Sequence, residues 1–218
     1  MRTRTLRHRS IARQHVPSDS LATPDAVAVD TAGTSATKQQ QILDAVLAVL
    51  ARDGISGVSM RAVARQAGVA LGLMNYYFAD KTSLIAAALR RLGDQDAQLV
   101  EPQEGLPPRE QLVRSLHRVV GDDFLSGDYL ALRLQLWALA PVDPLFASIN
   151  QEAQERYRDG LAQLVALASP HLEPEEAAQR AADILVVQNG LWLTSMLIAD
   201  RDAIDRSVRR CEEIALAP

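Results

Sequence analysis

Between Ser59 and Lys81 the chain reads SMRAVARQAGVALGLMNYYFADK, and this stretch decides the fold. Apolar residues recur there at helical spacing on both sides of Gly68, which predicts two short helices joined by a tight turn. Ser59 stands where the first helix needs an N-cap, and Asp80 stands in the same relation to a further helix. The expected motif is therefore a helix-turn-helix.

The two short helices each have an inner and an outer face. The residues expected to face inward are Met60, Val63, Ala64, Ala67, Leu71, Met74 and Phe78. Asn75 and Tyr76 lie away from that face, and Gly72 removes a side chain from the first turn of the second helix. A helix this short can place its N-terminal end in the major groove of DNA. We therefore expect the second helix to be presented to a duplex.

The remainder of the chain also favours helices. Ala and Leu dominate the apolar residues and aromatic residues make up only 4%, a composition that suits helices better than strands. A leading helix is expected from Thr37 to Gly54. Beyond the motif, helices are expected over residues 108–125, 128–140, 144–168, 175–199 and 202–216. The predicted fold is all-α, with an N-terminal three-helix head that contains the helix-turn-helix and a C-terminal helical bundle.

Charge is distributed unevenly along the chain, whose formal net charge is −4. Residues 1–36 and residues 37–82 each carry five basic and three acidic residues, so residues 83–218 hold the acidic excess. We interpret residues 1–36 as a disordered basic N-terminal tail, either a plain leader or an arm that follows the DNA backbone or minor groove. Residues 37–82 are then the DNA-binding domain, and residues 83–218 are a helical domain for ligand sensing and dimerisation.

Several classes of protein are disfavoured by what the sequence contains. The single cysteine, Cys211, allows no intrachain disulfide and suggests a cytoplasmic location. The longest charge-free apolar stretch, Ile184–Ala199, is shorter than a membrane span. No Gly-rich phosphate loop, nucleophile elbow or metal-spaced Cys/His set is present, so we expect neither catalysis nor a cofactor nor a metal site. The alternative is a helical interaction protein with a degenerate DNA-binding head.

The segment from Thr37 to Leu92 resembles the TetR family of transcriptional regulators. The resemblance is carried by the helix that ends at Gly54, the Ser59 cap, Gly68-Val69, Tyr77-Phe78 and Lys81. It implies DNA-binding roles for Thr37, Ser59, Arg61, Ala70, Leu71, Gly72, Leu73, Asn75, Tyr76, Tyr77 and Lys81. Within this set Tyr77 and Lys81 match positions that usually hold phosphates, and Ser59 and Thr37 match helix ends that often do the same.

The recognition helix departs from the common pattern of the family. Ala70 stands where Ser or Thr often caps the helix, and losing such a cap typically costs about 1 kcal/mol. Leu71 and Leu73 replace frequent polar residues, so Asn75 and Tyr76 would carry more of any direct base readout. Asn is suited to pairing with adenine, and Leu73 is suited to contact with a thymine methyl group.

The last two predicted helices are the best candidates for a dimer interface. The penultimate helix is apolar nearly all round and therefore needs more than one covering partner. Two copies of the pair would form a four-helix bundle across a two-fold axis. The interface residues expected are Ile184, Val187, Leu191, Met196, Ile204, Val208 and Cys211. The alternative is that both helices complete a core within one chain.

A small-molecule effector is also expected in the C-terminal half. The segment Asn189-Gly190-Leu191-Trp192-Leu193 is similar to the branch of the family that contains choline-responsive repressors. The resemblance implies a homodimeric repressor that a ligand releases from a palindromic operator in double-stranded DNA. The candidate ligand-binding residues are Phe124, Arg133, Trp137, Tyr157, Gln188 and Trp192. A cationic ligand would use aromatic faces, a carboxylate would use Arg133, and the alternative is that the Trp and Tyr side chains only fill the core.

Overall fold

A computed structural model describes residues 28–198 and 200–217, and within these ranges the chain forms helices and no strand. The helices are α1 (Ala28–Gly57), α2 (Met60–Ala67), α3 (Leu71–Tyr77), α4 (Lys81–Ala97), α5 (Pro108–Arg118), α6 (Asp122–Leu125), α7 (Gly127–Leu139), α8 (Pro144–Ala168), α9 (Pro174–Leu197) and α10 (Arg201–Leu216). The all-α prediction is therefore confirmed. No helix of the described part is both long and apolar enough to cross a membrane.

The first helix begins earlier than the sequence pattern predicts. α1 starts at Ala28 and not at Thr37, so the helix overlaps residues 28–36 of the predicted tail. Once the apolar face that starts at Ile42 has fixed a helix, each further residue adds one hydrogen bond, which lets the helix extend beyond its buried face. The remainder of the predicted tail, residues 1–27, lies outside the described residues.

Gly54 interrupts α1 where the sequence predicts the helix to end. Its φ of 68° and ψ of −175° are not helical, and the chain bends there before a short final turn that reaches Gly57. A positive φ strains residues that carry a Cβ, which is why glycine suits this position. The bend matters for the head because the carbonyl of Ile55, just beyond it, is turned toward the start of α4.

The helix predicted over residues 108–125 is divided in two. α5 ends at Arg118 and α6 begins at Asp122, and Gly121 between them has an extended backbone. The break releases backbone carbonyls from the helix ladder. One of them, at Val119, accepts a hydrogen bond of 3.0 Å from the indole Nε1 of Trp192. A long-range partner therefore stabilises a break that local periodicity does not reveal.

α4 joins the head to the helical body without a structural break. It packs against α1 on the side of the head and against α8 in the body, so the boundary predicted between residues 82 and 83 falls within its first turn. The packing on α8 is close because Gly93 has no side chain. A Cβ at that position would lie 2.9 Å from the Cβ of Ala153. Helices α8, α9 and α10 complete the body.

Candidate functional site

The turn between α2 and α3 is fixed by local hydrogen bonds. The hydroxyl of Ser59 accepts from the backbone N–H of Ala62 at 3.1 Å, which confirms the predicted N-cap of α2. Gly68 adopts left-handed values, φ 64° and ψ 33°, and ends the helix. The following N–H, of Val69, donates to the carbonyl of Ala64 at 3.0 Å and closes the turn. The helix-turn-helix is thus present where the sequence predicts it.

α3 lies on α2 with one face buried and the other exposed. Met74 and Phe78 are buried, as expected. Leu71 is 36% exposed, so its assignment to the inner face is wrong. A helical side chain leans toward the N-terminus and packs over the preceding turn. Leu71 is the first residue of α3, so no preceding turn of the helix lies beneath its side chain. No side-chain hydrogen bond caps this end, as expected from Ala70.

The outward face of α3, together with the flanking N-cap, consists of Ala70, Leu71, Gly72, Asn75 and Tyr76. All five are exposed, and Tyr76 is 79% exposed. A Cβ placed at Gly72 would meet no atom of the described chain within 4 Å, so packing inside the protein does not require glycine there. This face is therefore free to meet another molecule, whereas Leu73 is half-buried.

The predicted phosphate contacts come from α1, from α2 and its N-cap, and from α3 and α4. Thr37, Ser59 and Arg61 are exposed, and Tyr77 is half-buried with its ring 5.2 Å from that of Tyr76. Lys81, at the start of α4, donates from Nζ to the carbonyl of Ile55 at 2.7 Å. An ammonium group has three donors, so this bond positions Lys81 and leaves donors for a phosphate. Their roles on DNA remain predictions.

Positive charge on α2 is not neutralised by any residue that the structure describes. Arg61 and Arg65 are exposed, and neither forms a salt bridge with any residue in the described ranges. Arg52, by contrast, is paired with Asp53 at 2.7 Å. The surface beside α3 therefore presents unpaired cations, which favours a polyanion as its partner.

A buried polar cluster lies in the helical body, between α4 and α7. Arg133 donates to the carboxylate of Asp96 at 2.5 Å and also to the hydroxyl of Tyr129, which in turn donates to Asp96. The Arg133 side chain is 4% exposed and that of Asp96 is 10% exposed. Sequence reasoning missed Asp96 and Tyr129. The signals were present, since Asp96 follows the spacing of the buried Leu89 and Tyr129 precedes Arg133 by one turn.

Three aromatic rings surround the guanidinium of Arg133, and we call them the aromatic box. The Cζ atom of Arg133 lies 3.9 Å from the ring centroid of Trp192, 5.1 Å from that of Tyr129 and 5.8 Å from that of Trp137. Phe124 of α6 packs edge-on against Tyr129, with 5.0 Å between ring centroids. Four of the predicted ligand residues therefore meet at this box: Phe124, Arg133, Trp137 and Trp192.

Protonation states within the cluster follow from burial and neighbouring charge. Burial opposes the charged form of Arg133, but the Asp96 charge and the Tyr129 hydroxyl outweigh it and raise the pKa of the guanidinium. Burial and the nearby Asp96 charge also raise the pKa of Tyr129 and that of Tyr157. Arg133 is thus a cation and both phenols are neutral.

The two remaining predicted ligand residues lie beside the box. The Tyr157 hydroxyl donates to Oε1 of Gln188 at 3.0 Å, and both side chains are buried. Within the described residues, Nε2 of Gln188 and Nε of Arg133 are buried donors with no hydrogen-bond partner. The cavity lined by Asp96, Arg133, Tyr157 and Trp192 measures about 10 Å³, which is room for one water molecule.

The predicted dimer residues divide into two groups. Ile184, Leu191, Val208 and Cys211 are at most 5% exposed within one chain, where they pack in the protomer's own core and offer little surface to a second copy. Val187 and Ile204 are half-buried and line a groove of about 270 Å³ between α9 and α10, and Met196 is 42% exposed. These three remain candidates.

An exposed apolar surface lies next to that groove, and we call it the α9 surface. It consists of Val186, Leu193, Met196, Leu197 and Ile198, and both Val186 and Leu197 are 72% exposed. Single exposed apolar residues are ordinary, but several large ones along the second half of one helix are typical of an interaction surface. The sequence predicts the helix but not its exposed face, because a helix that is apolar all round does not reveal which side its own chain covers.

Comparisons with known proteins agree with both halves of the structure. Residues 42–88 match the profile of bacterial regulatory proteins, tetR family, and residues 108–216 match the C-terminal profile of BetI-type transcriptional repressors. The HTH-type transcriptional regulator BetI of Escherichia coli strain K12 is 26% identical over 169 residues, which cover 76% of this chain and 85% of BetI.

Two solved structures share the fold. A TetR-family transcriptional regulator from Rhodococcus sp. aligns with a TM-score of 0.70 at 24% identity, over 83% of this chain and 99% of that one. A transcriptional regulator from Saccharomonospora viridis, solved in complex with choline, aligns with a TM-score of 0.67 at 20% identity, over 82% of this chain and 95% of its own.

Proposed function

The chain belongs to the tetR family of bacterial regulatory proteins and is a DNA-binding transcriptional regulator, and we propose that it acts as a homodimeric repressor. Two α2–α3 heads bind a palindromic operator. A small molecule in the helical body releases them. The observation that carries the proposal is the outward face of α3, which is exposed, uncovered by the described chain and flanked by unpaired arginines.

Contacts to DNA divide by their chemistry. Lys81, Tyr77 and Ser59 surround α3 and would position the head through phosphates, which carry no sequence information. Asn75 and Tyr76 project from α3 itself and would read base edges in the major groove. Leu71 adds apolar surface to this face because it is exposed, and apolar side chains favour thymine methyl groups.

A homodimer would supply the two recognition helices that a palindromic operator needs, and it would cover the α9 surface. Palindromic operators need two recognition helices about 34–36 Å apart on one side of the duplex, which one head cannot supply. A two-fold dimer through the α9 surface would cover Val186, Leu197 and Ile198, which are otherwise exposed to water. The groove lined by Val187 and Ile204 would then receive side chains from the second copy.

The dimer is tested with one charge placed on the α9 surface. Leu197→Asp should convert the dimer to a monomer in light scattering after gel filtration, because a carboxylate in an apolar interface lacks a partner. Val142→Asp is the matched control, since Val142 is 78% exposed and lies in the turn before α8. A Leu197→Asp protein that remains dimeric while Val142→Asp is also dimeric would contradict this interface.

DNA binding is tested on the region upstream of the protein's own gene by fluorescence anisotropy. Affinity should exceed that for random DNA and fall by about 10³-fold or more between about 50 and 200 mM salt, because two heads release counterions from several phosphates. Absence of binding at low salt would reject a regulator and favour the helical interaction protein. Binding that is equal on all DNA would reject sequence-specific readout.

A small-molecule effector would act by favouring one spacing of the two heads. The aromatic box and the residues beside it support a site in the body, since they combine buried aromatic faces with buried polar groups. α4 runs from the head to this cluster, because Lys81 begins it and Asp96 lies near its end. A ligand that moves Asp96 would therefore act on the helix that carries the head.

A further inference from the structure

The aromatic box already contains a cation. We infer that Arg133 is its permanent occupant, and that the effector of this ligand-released regulator is an uncharged molecule with a hydrogen-bond acceptor, not a quaternary ammonium ion. The inference rests on the proposed function in one respect, that an effector binds in the helical body. It concerns the chemical class of that effector. The sequence offers two classes, a cation or a carboxylate, and the inference replaces both with an uncharged molecule.

Geometry excludes a second cation from the box. The guanidinium of Arg133 lies 3.9 Å from the centroid of Trp192, which is contact distance for a cation on an aromatic face. Tyr129 and Trp137 complete the surroundings of the same group. A trimethylammonium group needs these faces for itself, and it would also meet the positive charge of Arg133.

Charge balance excludes a buried anion as well. Arg133 and Asp96 are the only charged residues among those that line the small cavity, and they are paired at 2.5 Å. Their charges cancel. A larger cleft that Tyr129 borders adds one residue of each sign, Arg118 and Asp123. The groups that face them from α7, α8 and α9 are the neutral Tyr129, Tyr157 and Trp192. A ligand carboxylate would lie near Asp96 without a cation of its own, and an unpaired buried charge is costly.

Two buried donors point to a ligand with an acceptor. Nε of Arg133 and Nε2 of Gln188 have no hydrogen-bond partner among the described residues. Gln188 is 0% exposed and Arg133 is 3% exposed, so bulk water does not reach either side chain freely. A buried donor left unpaired loses free energy, which an incoming carbonyl, ether or hydroxyl oxygen would restore.

Tyr129 also borders a larger cleft. This cleft has a volume of about 380 Å³ and is lined by Gln95, Gln98, Arg118, Asp123, Phe124 and Tyr129. That volume suits a small organic molecule, whereas the 10 Å³ cavity does not. Tyr129 borders the cleft, and its hydroxyl accepts from Arg133, which lines the small cavity. A ligand in the cleft would therefore reach Arg133 by displacing Tyr129.

Choline and its uncharged carbon isostere, 3,3-dimethylbutan-1-ol, provide a matched pair of probes. They have the same shape and hydroxyl group and differ in charge. Binding to the full chain is measured by calorimetry and by the fluorescence of Trp137 and Trp192. The wild type should bind the isostere at least about tenfold more tightly than choline, a difference that calorimetry resolves readily. Equal or tighter binding of choline, or no binding of the isostere, would overturn the inference.

Removal of the resident cation should reverse this preference. Arg133→Met empties the box and leaves the Asp96 carboxylate without its partner, so choline should now bind more tightly than the isostere. Arg133→Met with Asp96→Asn removes the anion as well and should lose that gain. A folded Arg133→Met protein that gains no choline affinity would refute Arg133 as the occupant. If that variant does not fold, the wild-type comparison still decides.

The proposed repressor function and the inference about the ligand class can be refuted independently of each other. Operator binding is measured in parallel on the same wild-type preparation. A protein that binds its operator and prefers choline refutes the inference about ligand class and leaves the regulator intact. A protein that prefers the isostere but binds no DNA refutes the proposed repressor and leaves the assignment of the box intact.

Discussion

Asp96→Asn tests whether the buried cluster is held together by charge. Asparagine has nearly the shape of aspartate and keeps an oxygen that accepts from Tyr129, so the main loss is the negative charge beside Arg133. Arg133 is 3% exposed and would be left as an uncompensated buried cation. Removal of one partner of a buried pair costs about 3–5 kcal/mol. For a domain of this size that corresponds to a fall in Tm of roughly 6–20 °C.

The assay is thermal and urea unfolding followed by circular dichroism at one fixed protein concentration, because dimerisation makes Tm depend on concentration. Asp94→Asn is the matched control, since Asp94 lies on the same helix and its ion pair with Arg156 is exposed. Its loss should cost less than about 1 kcal/mol. The double variant Asp96→Asn with Arg133→Met should recover part of the stability. A loss no greater than that of Asp94→Asn would refute the reasoning.

Two further variants and the reactivity of one buried thiol test the local structure. Gly68→Ala should destabilise by about 1–2 kcal/mol in urea unfolding, because φ is +64° there, and an unchanged midpoint would contradict the left-handed turn. Ala70→Ser should stabilise by about 1 kcal/mol by supplying the missing N-cap of α3, with Ala79→Ser as an exposed control that caps nothing. Burial and the neighbouring Glu212 raise the pKa of Cys211 to about 12 from 9.0, so a thiol reagent at pH 8 should react only after unfolding. The same shift stabilises the fold below pH 9, and this contribution should fall as pH rises from 9 toward 12.

Local features of the head could be predicted because neighbouring residues determine them. The Ser59 cap, the Gly68 turn and the Asp80 cap depend on hydrogen bonds between residues close in sequence. Leu71 was misplaced because helical periodicity assumes a preceding turn, and α3 begins at that residue. Short-range chemistry therefore predicts the motif well and predicts exposure at helix ends poorly.

Features of the body that depend on distant residues could not be predicted in the same way. Asp96 and Arg133 are far apart in sequence, and only the packed helices bring their side chains together. The break before α6 is stabilised by Trp192 from α9. Likewise, Ile184 and Leu191 are buried against the protomer's own helices. An apolar sequence shows that such residues need a covering partner, but not whether that partner is the same chain or a second copy.

The central claim is that α3 reads the operator while residues around it hold the backbone. The most direct test compares Asn75→Ala and Lys81→Ala, by anisotropy, on the operator and on a random duplex. Asn75→Ala should lower affinity for the operator and leave that for random DNA unchanged, because Asn75 contacts bases. Lys81→Ala should lower both alike. If Asn75→Ala keeps the full preference for the operator, or if Lys81→Ala changes only that preference, the account of this interface is contradicted.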